Sequence, residues 1–307
     1  MQAPLTIRFW QYLRERFPLH QHGILIIAFS FSAISYSLIT AGREGFIAPT
    51  AFTWAVISNL SLFFLLRVFD EFKDARDDAA YRAELPVPRG LISLKELGLI
   101  ALVWMGLHAL GTLLWFPSLI WLYLIVLAYM LLMRVEFFVP GWLKERPMAY
   151  ALSHMMIIPL VDIFASGFDW NLSGQSAPVG MLFFFAVSFF NGMVLEVGRK
   201  IRPREEEREG VVTYSAVYGA RKATWLWLSM LLITYLLCIA SGLYASYPGV
   251  WVLAVTTPFL LAVWTAKRFL QNMTLQRARH IELVAGVWAL LMYILLGAGP
   301  MIASFFD

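Results

Sequence analysis

Residues 67–93 read Arg67-Val-Phe-Asp-Glu-Phe-Lys-Asp-Ala-Arg-Asp-Asp-Ala-Ala-Tyr-Arg-Ala-Glu-Leu-Pro-Val-Pro-Arg-Gly-Leu-Ile-Ser93, and this stretch decides how the rest of the chain is understood. Five carboxylates (Asp70, Glu71, Asp74, Asp77 and Asp78) fall within nine residues, at the end of an apolar run long enough to cross a bilayer. On a continuous helix Glu71, Asp74 and Asp78 share one side at i, i+3 and i+7, and Asp70, Asp74 and Asp77 form an overlapping set. Carboxylates this crowded repel one another unless a cation neutralises them. Oxygen donors in that number suit Mg²⁺ better than Zn²⁺, and Mg²⁺ is usually completed by waters and substrate phosphates. The stretch predicts a metal–diphosphate site at a membrane surface. The competing reading is a solvated loop whose acids pair with Arg67, Lys73 and Arg76.

Composition places that site in a membrane protein. Hydrophobic residues make up 60% of the 307-residue chain and charged residues 14%, and mean hydropathy is +0.69. Apolar runs able to span about 30 Å of hydrocarbon recur along it. Nine are expected, at 23–41, 52–69, 94–115, 118–133, 148–166, 179–198, 223–244, 248–266 and 283–305. The first follows a polar start without a small-residue cleavage site, so it is expected to be retained.

Of the 24 Lys and Arg residues, Arg43 alone falls in a connection on the opposite side from the rest. The positive-inside rule makes the crowded side cytoplasmic. That puts the N-terminus and the acidic stretch inside and Asp307 outside. Topology therefore accounts for the pI of about 9.2, with no nucleic-acid partner required. The tail Ile7-Arg-Phe-Trp-Gln-Tyr-Leu-Arg-Glu-Arg-Phe17 mixes basic and aromatic residues at helical spacing, so residues 1–22 are expected to form an amphipathic segment on the cytoplasmic interface. Cys238 is alone, which excludes an intramolecular disulfide.

A second charged cluster follows the sixth apolar run, Glu196-Val-Gly-Arg-Lys-Ile-Arg-Pro-Arg-Glu-Glu-Glu-Arg-Glu-Gly-Val-Val-Thr-Tyr-Ser-Ala-Val-Tyr-Gly219. Two acid-bearing connections four spans apart are compatible with two halves facing one cavity. Arg199, Lys200 and Arg202 offer cations suited to phosphate oxygens. Glu196 closes an apolar run, where an acid is costly without a partner, whereas Glu205–Glu209 reads as a solvated charge run.

These features resemble the UbiA superfamily of intramembrane prenyltransferases, and the resemblance covers nearly the whole chain. The family's first motif, N-D-x-x-D-x-x-x-D, matches Asp70, Glu71, Asp74 and Asp78, with Asp for Asn and Glu for the first Asp. Leu85-Pro-Val-Pro-Arg-Gly-Leu-Ile-Ser93 looks like R-P-x-x-x-G-x-I-S, and Tyr129 with Arg134 resembles Y-x-x-x-K-R. The second motif, D-x-x-D-x-E-G-D-x-x-x-G-x-x-T, departs furthest. Anchored on Gly210 and Thr213, it places Arg199 and Arg202 where Asp stands and Glu206 at a third acid; shifted, it brings Glu196 near the first acid and Lys200 onto another. The departure leaves two arrangements open: a symmetric two-metal site, or one half holding diphosphate through cationic side chains.

The resemblance implies an all-α fold, with nine transmembrane helices in a UbiA-like bundle and cytoplasmic loop helices over residues 23–307. It also implies an integral multi-pass protein, of bacterial cell-membrane type, that uses Mg²⁺ to ionise a prenyl diphosphate. The prenyl group would pass to a lipophilic or aromatic acceptor such as a quinone precursor. Implied metal ligands are Asp70, Glu71, Asp74, Asp78 and Glu196; implied diphosphate contacts are Arg134, Arg199, Lys200 and Arg67.

Asp162 is the one carboxylate deep in apolar sequence. It is expected either to steer the acceptor or accept its proton, or else to serve as a structural acid. His154 reads as a packing residue, and Asn59 and Asn191 as weaker cavity candidates. Three other activities compete. A UbiA-type terpene cyclase would quench the cation within its own chain. A CDP-alcohol phosphotransferase would need the D-G-x-x-A-R pattern, which is absent. A transporter would place ionisable groups near the midplane, whereas here they sit at one interface.

Overall fold

The computed structural model describes residues 3–208 and 210–306. Met1 and Asp307, which mark the predicted topology, and Glu209 of the charge run lie outside the described residues. The chain is all-helical: α1 (Leu5–Arg16), α2 (Leu19–Thr40), α3 (Pro49–Lys73), α4 (Ala75–Tyr81), α5 (Leu94–Trp115), α6 (Ile120–Arg134), α7 (Pro140–Lys144), α8 (Pro147–Met155), α9 (Ile157–Trp170), α10 (Met181–Gly198), α11 (Tyr214–Tyr218), α12 (Ala220–Tyr244), α13 (Gly249–Gln271), α14 (Leu275–Tyr293) and α15 (Gly299–Ala303). Among the described residues nine segments are long and apolar enough to cross a membrane, three of them composite: the 3₁₀ turn Pro117–Leu119 with α6, α8 with α9, and α14 with α15 across a π-helical turn. This is a polytopic membrane protein.

Local chemistry sets several boundaries. Pro49 opens α3 at a position where its missing N–H costs nothing. Ser93 caps α5 through a reciprocal capping box with Glu96. Pro159 lacks the N–H that would bond back to Met155, and the fifth span breaks at Met156 into α8 and α9.

Lipid tails give helices little hydrophobic reason to associate, so close backbone approach and internal hydrogen bonds must hold the bundle. On α2, Ser30, Ser32, Ser35 and Ser37 are all fully buried. A Cβ at Gly297 would stand 2.3 Å from the Ser32 carbonyl oxygen, so the last span meets α2 backbone to backbone. Ser32 Oγ adds a bond to the Tyr293 carbonyl at 2.5 Å, and Ser241 Oγ donates to the Tyr36 hydroxyl at 2.7 Å. Leu99, Leu102, Leu107 and Leu114 on α5 point outward, as a lipid-facing surface requires.

The tail departs from a simple surface anchor. α1 is helical, with Leu5, Ile7 and Trp10 exposed, but Tyr12 and Phe17 are buried against the bundle.

Candidate active site

α3 continues through Lys73, Asp74 bends the backbone (φ −89°, ψ 3°), and α4 starts at Ala75. That bend sends the carboxylates to different partners. Glu71, 1% exposed, accepts from Arg16 Nε at 2.6 Å and lies 3.5 Å from the Tyr12 hydroxyl. Asp78 is buried; its Oδ1 is 3.3 Å from Arg82 without an aligned hydrogen bond. Asp77 is exposed. Asp70 and Asp74 remain accessible, with Lys73 Nζ between them at 3.2 and 3.9 Å and donating to the Tyr150 hydroxyl at 2.5 Å. Among the described residues no three His, Cys, Asp or Glu side chains converge closely enough to hold a metal by themselves. The one-sided convergence expected from spacing gives way to separate partners: Asp77 faces solvent and Glu71 is neutralised by Arg16.

A narrow cavity opens beside this segment. Asp70, Lys73, Arg134 and His154 form its polar wall, and Leu66, Phe69, Met130 and Met133 its apolar floor. The Arg134 guanidinium lies 4.8 Å over the Phe72 ring, which fixes its head at the rim. His154 Nδ1 is 2.9 Å from the Tyr150 carbonyl, which can only accept, so Nδ1 carries the proton. In the neutral ring Nε2 is then a free acceptor, and it is buried without a partner. Tyr150 stacks on His154 with centroids 3.8 Å apart. Below them Glu136, Phe137 and Phe138 form a left-handed turn that folds Phe137 against Tyr129 and His154. Such backbone costs about 1–2 kcal/mol per residue and tends to survive where the surroundings use it.

The end of α10 lies outside that lining but close enough for Asp70 to act on Arg199. Glu196, 4% exposed, receives Arg199 on one oxygen and Lys200 on the other, the latter at 2.6 Å. Lys200 also lies over the Tyr214 ring at 5.9 Å. Gly210, at φ +75°, comes so close to Tyr81 that a Cβ would stand 2.3 Å from the ring. The two charged connections therefore touch at the tip of α4. Thr213 caps α11 through the Ala216 N–H and donates to Glu207 at 2.7 Å.

Electrostatics joins the two groups. Burial, with Asp70 and Asp78 close by, raises the Asp74 carboxyl above its ordinary value, while Lys73 and Arg82 pull against that shift. Partial desolvation, with about half of the side chain still exposed, opposes the charge on Arg199, but Glu196 and Asp70 together hold its pKa above the ordinary value.

The UbiA prenyltransferase family profile matches residues 28–287. The chain belongs to the UbiA prenyltransferase family. It is thus a prenyltransferase-family enzyme, and solved structures share its fold. The apo UbiA homolog from Aeropyrum pernix K1 superposes with a TM-score of 0.68 at 14% identity, covering 93% of this chain and 98% of that one. A structure described as giving structural and mechanistic insights into digeranylgeranylglyceryl phosphate synthase in membranes gives 0.64 at 15% identity, covering 95% and 98%. The UbiA homolog from Archaeoglobus fulgidus bound to DMAPP and Mg²⁺ gives 0.58 at 11% identity, covering 93% and 98%. No curated protein sequence matches the chain.

In this UbiA-family chain the expected residues separate into groups. Asp70 and Arg134 line the cavity, Asp74 shares Lys73 with Asp70, Arg199 and Lys200 pair with Glu196 at the end of α10, and Arg67 reaches Asp70 only at 3.9 Å. Asp162 lies eight residues beyond His154, past the break at Met156. There it is fully buried beside Ser188, whose hydroxyl pairs with that of Tyr293 at 2.8 Å. Sequence reading missed Lys73, Tyr150 and Tyr214 as site groups and took His154 for packing. Tyr150 and His154, four apart at the polar end of an apolar run, were the available signal.

The donor set fits Mg²⁺ in the first half only. Asp70 and Asp74 are accessible carboxylates beside the unpartnered Asp78 Oδ1, and Mg²⁺ needs only one or two carboxylates when phosphates complete its shell. Glu196 has both oxygens occupied by cations, so the α10 side offers no free carboxylate oxygen in this structure.

Proposed function

We propose that this chain is a Mg²⁺-dependent intramembrane prenyltransferase that ionises a prenyl diphosphate at the cytoplasmic end of its bundle and transfers the prenyl group to a lipophilic or aromatic acceptor. The observation that carries this reading is the grouping of Asp70 with Lys73 and Arg134 at one apolar-floored cavity, with the Arg199 cation at the end of α10 within electrostatic reach of Asp70. The solved relatives bound to DMAPP or GPP with Mg²⁺ support the same assignment.

Asp70, Asp74 and Asp78 would hold the metal, which supplies Lewis-acid stabilisation of the leaving diphosphate. Arg134 and Lys73 bind diphosphate oxygens from the cavity, Arg199 and Lys200 from the end of α10. The allylic C–O bond breaks with its electron pair leaving on the diphosphate, and these cations are already in place where that charge grows. Leu66, Phe69, Met130 and Met133 keep water from the allylic cation. A carbon of the acceptor then bonds to the allylic carbon and loses a proton. Asp162, deeper in the bundle, steers the acceptor or receives that proton.

The test is incubation of purified enzyme in bilayer with labelled prenyl diphosphates and candidate aromatic acceptors, with and without Mg²⁺, and product identification by mass spectrometry. Mg²⁺-dependent prenylated acceptor is expected. A cyclised hydrocarbon formed without acceptor would assign the terpene cyclase activity instead.

A further inference from the structure

We infer that the prenyl diphosphate is held by a single Mg²⁺, and that Arg199 and Lys200 occupy the role a second metal would have on the α10 side. The inference rests on the prenyltransferase reading and concerns how its diphosphate is neutralised.

A divalent cation needs anionic or strongly polar oxygens with free lone pairs directed at one point. The α10 side offers one carboxylate, Glu196, and both its oxygens are taken: Arg199 donates to Oε2 through Nε at 2.9 Å and through Nη2, and Lys200 lies 2.6 Å from Oε1. One carboxylate with two cations leaves this group a net +1, which repels a metal ion and attracts phosphate. The neighbouring acids do not change that balance. Glu205 and Glu206 are exposed in the following turn, and Glu207 accepts from Thr213.

The pairing is built into the helix. Arg199 and Lys200 stand three and four residues after Glu196, so both reach back along one face. Glu196 is 4% exposed, so its charge cannot be left to water and binds the two cations in place. Lys200 is further held over Tyr214. The cations remain partly exposed, at 53% for Arg199 and 31% for Lys200, so their remaining N–H groups are free to meet phosphate oxygens. On the α3 side the balance differs: Asp70 and Asp74 are 38% and 43% exposed and share Lys73 at 3.2 and 3.9 Å, and Asp78 Oδ1 faces Arg82 at 3.3 Å without a hydrogen bond.

The experiment counts metal ions directly. The full-length protein in lipid nanodiscs is titrated with Mn²⁺, a spin-active substitute for Mg²⁺, in the presence of the slowly ionising analogue geranyl S-thiolodiphosphate, and bound Mn²⁺ is counted by electron paramagnetic resonance. One analogue-dependent Mn²⁺ per chain is expected, lost in Asp74→Asn and retained in Glu196→Gln. Arg199→Gln combined with Lys200→Gln is expected to keep the count at one while weakening the analogue by about tenfold or more. Two analogue-dependent ions in the wild type, or loss of the ion in Glu196→Gln with an unchanged thermal melt, would overturn the single-metal inference. No analogue-dependent ion at all would overturn the prenyl diphosphate reading itself, a result distinct from two.

Discussion

Arg16 on α1 donates to Glu71 at 2.6 Å, pairing the N-terminal helix with an acid of the first cluster that turns away from the cavity. Two more ion pairs clasp the same helix around the acidic connection, Arg8 with Glu96 at 2.5 Å and Glu15 with Arg89 at 2.7 Å. Arg16→Gln leaves Glu71 buried beside Tyr12 alone. Stability is expected to fall by roughly 2–3 kcal/mol, less than for a fully buried pair because Arg16 keeps some solvent contact. Combining it with Glu71→Gln should recover part of that loss, and Glu71→Gln alone should leave the Mg²⁺ half-saturation unchanged. Thermal melts in detergent and Mg²⁺ titrations check both; a large Mg²⁺ shift in Glu71→Gln would return this acid to the metal set.

Asp74→Asn and Asp78→Asn are each expected to abolish turnover while leaving the protein folded in detergent. Both remove a charged oxygen donor with little change in volume. Near-normal activity at limiting Mg²⁺ in either variant would mean that the acidic segment is a solvated loop.

Lys73 sits between Asp70 and Asp74 as an internal counter-charge, so its removal should act in opposite directions on metal and substrate. Lys73→Met is expected to tighten Mg²⁺ binding to the free protein and to raise KM for prenyl diphosphate by about tenfold. Calorimetric Mg²⁺ titration and steady-state kinetics separate the two. Weakened binding of both would show that Lys73 only holds the segment in shape.

Asp162 makes no contact with the diphosphate walls. Asp162→Asn is expected to lower the rate of acceptor prenylation while leaving prenyl diphosphate affinity within about twofold of wild type, since the side chain does not line the cavity of Asp70, Lys73 and Arg134. Equal prenylation rates in variant and wild type would leave it a structural acid.

Nine spans with Lys and Arg crowded on one side predict opposite locations for the two ends. A cytoplasm-sensitive reporter fused before Met1 and an exterior-sensitive reporter fused after Asp307 should both be active. Activity of only one of the two would put both ends on one side and contradict an odd number of crossings.

The spans were legible because hydropathy over a window of that length is a property of composition alone. The second span nevertheless runs to Lys73, four residues past the expected end at residue 69, because charged side chains at an interface do not interrupt backbone hydrogen bonding. The fates of the five clustered acids were not legible. They depend on the bend at Asp74 and on Arg16, which lies 55 positions away in the chain. Tyr150 and His154 join the site through the break that Pro159 imposes, together with the Phe137 turn beneath them, and neither leaves a periodic trace. The Glu196, Arg199 and Lys200 grouping could be read from spacing, but not that it saturates the carboxylate.

The clasp on α1 also sets an order of events during synthesis. Its partners Glu71, Arg89 and Glu96 follow it by 55, 74 and 88 positions. A chain made from its N-terminus therefore completes α1 well before anything exists for it to hold. Until then Leu5, Ile7 and Trp10 give it a greasy face with which to rest on lipid. α1 leaves the ribosome before its partners and locks only once the start of the third span has emerged, so the arrival of that span times the closing of the acidic mouth.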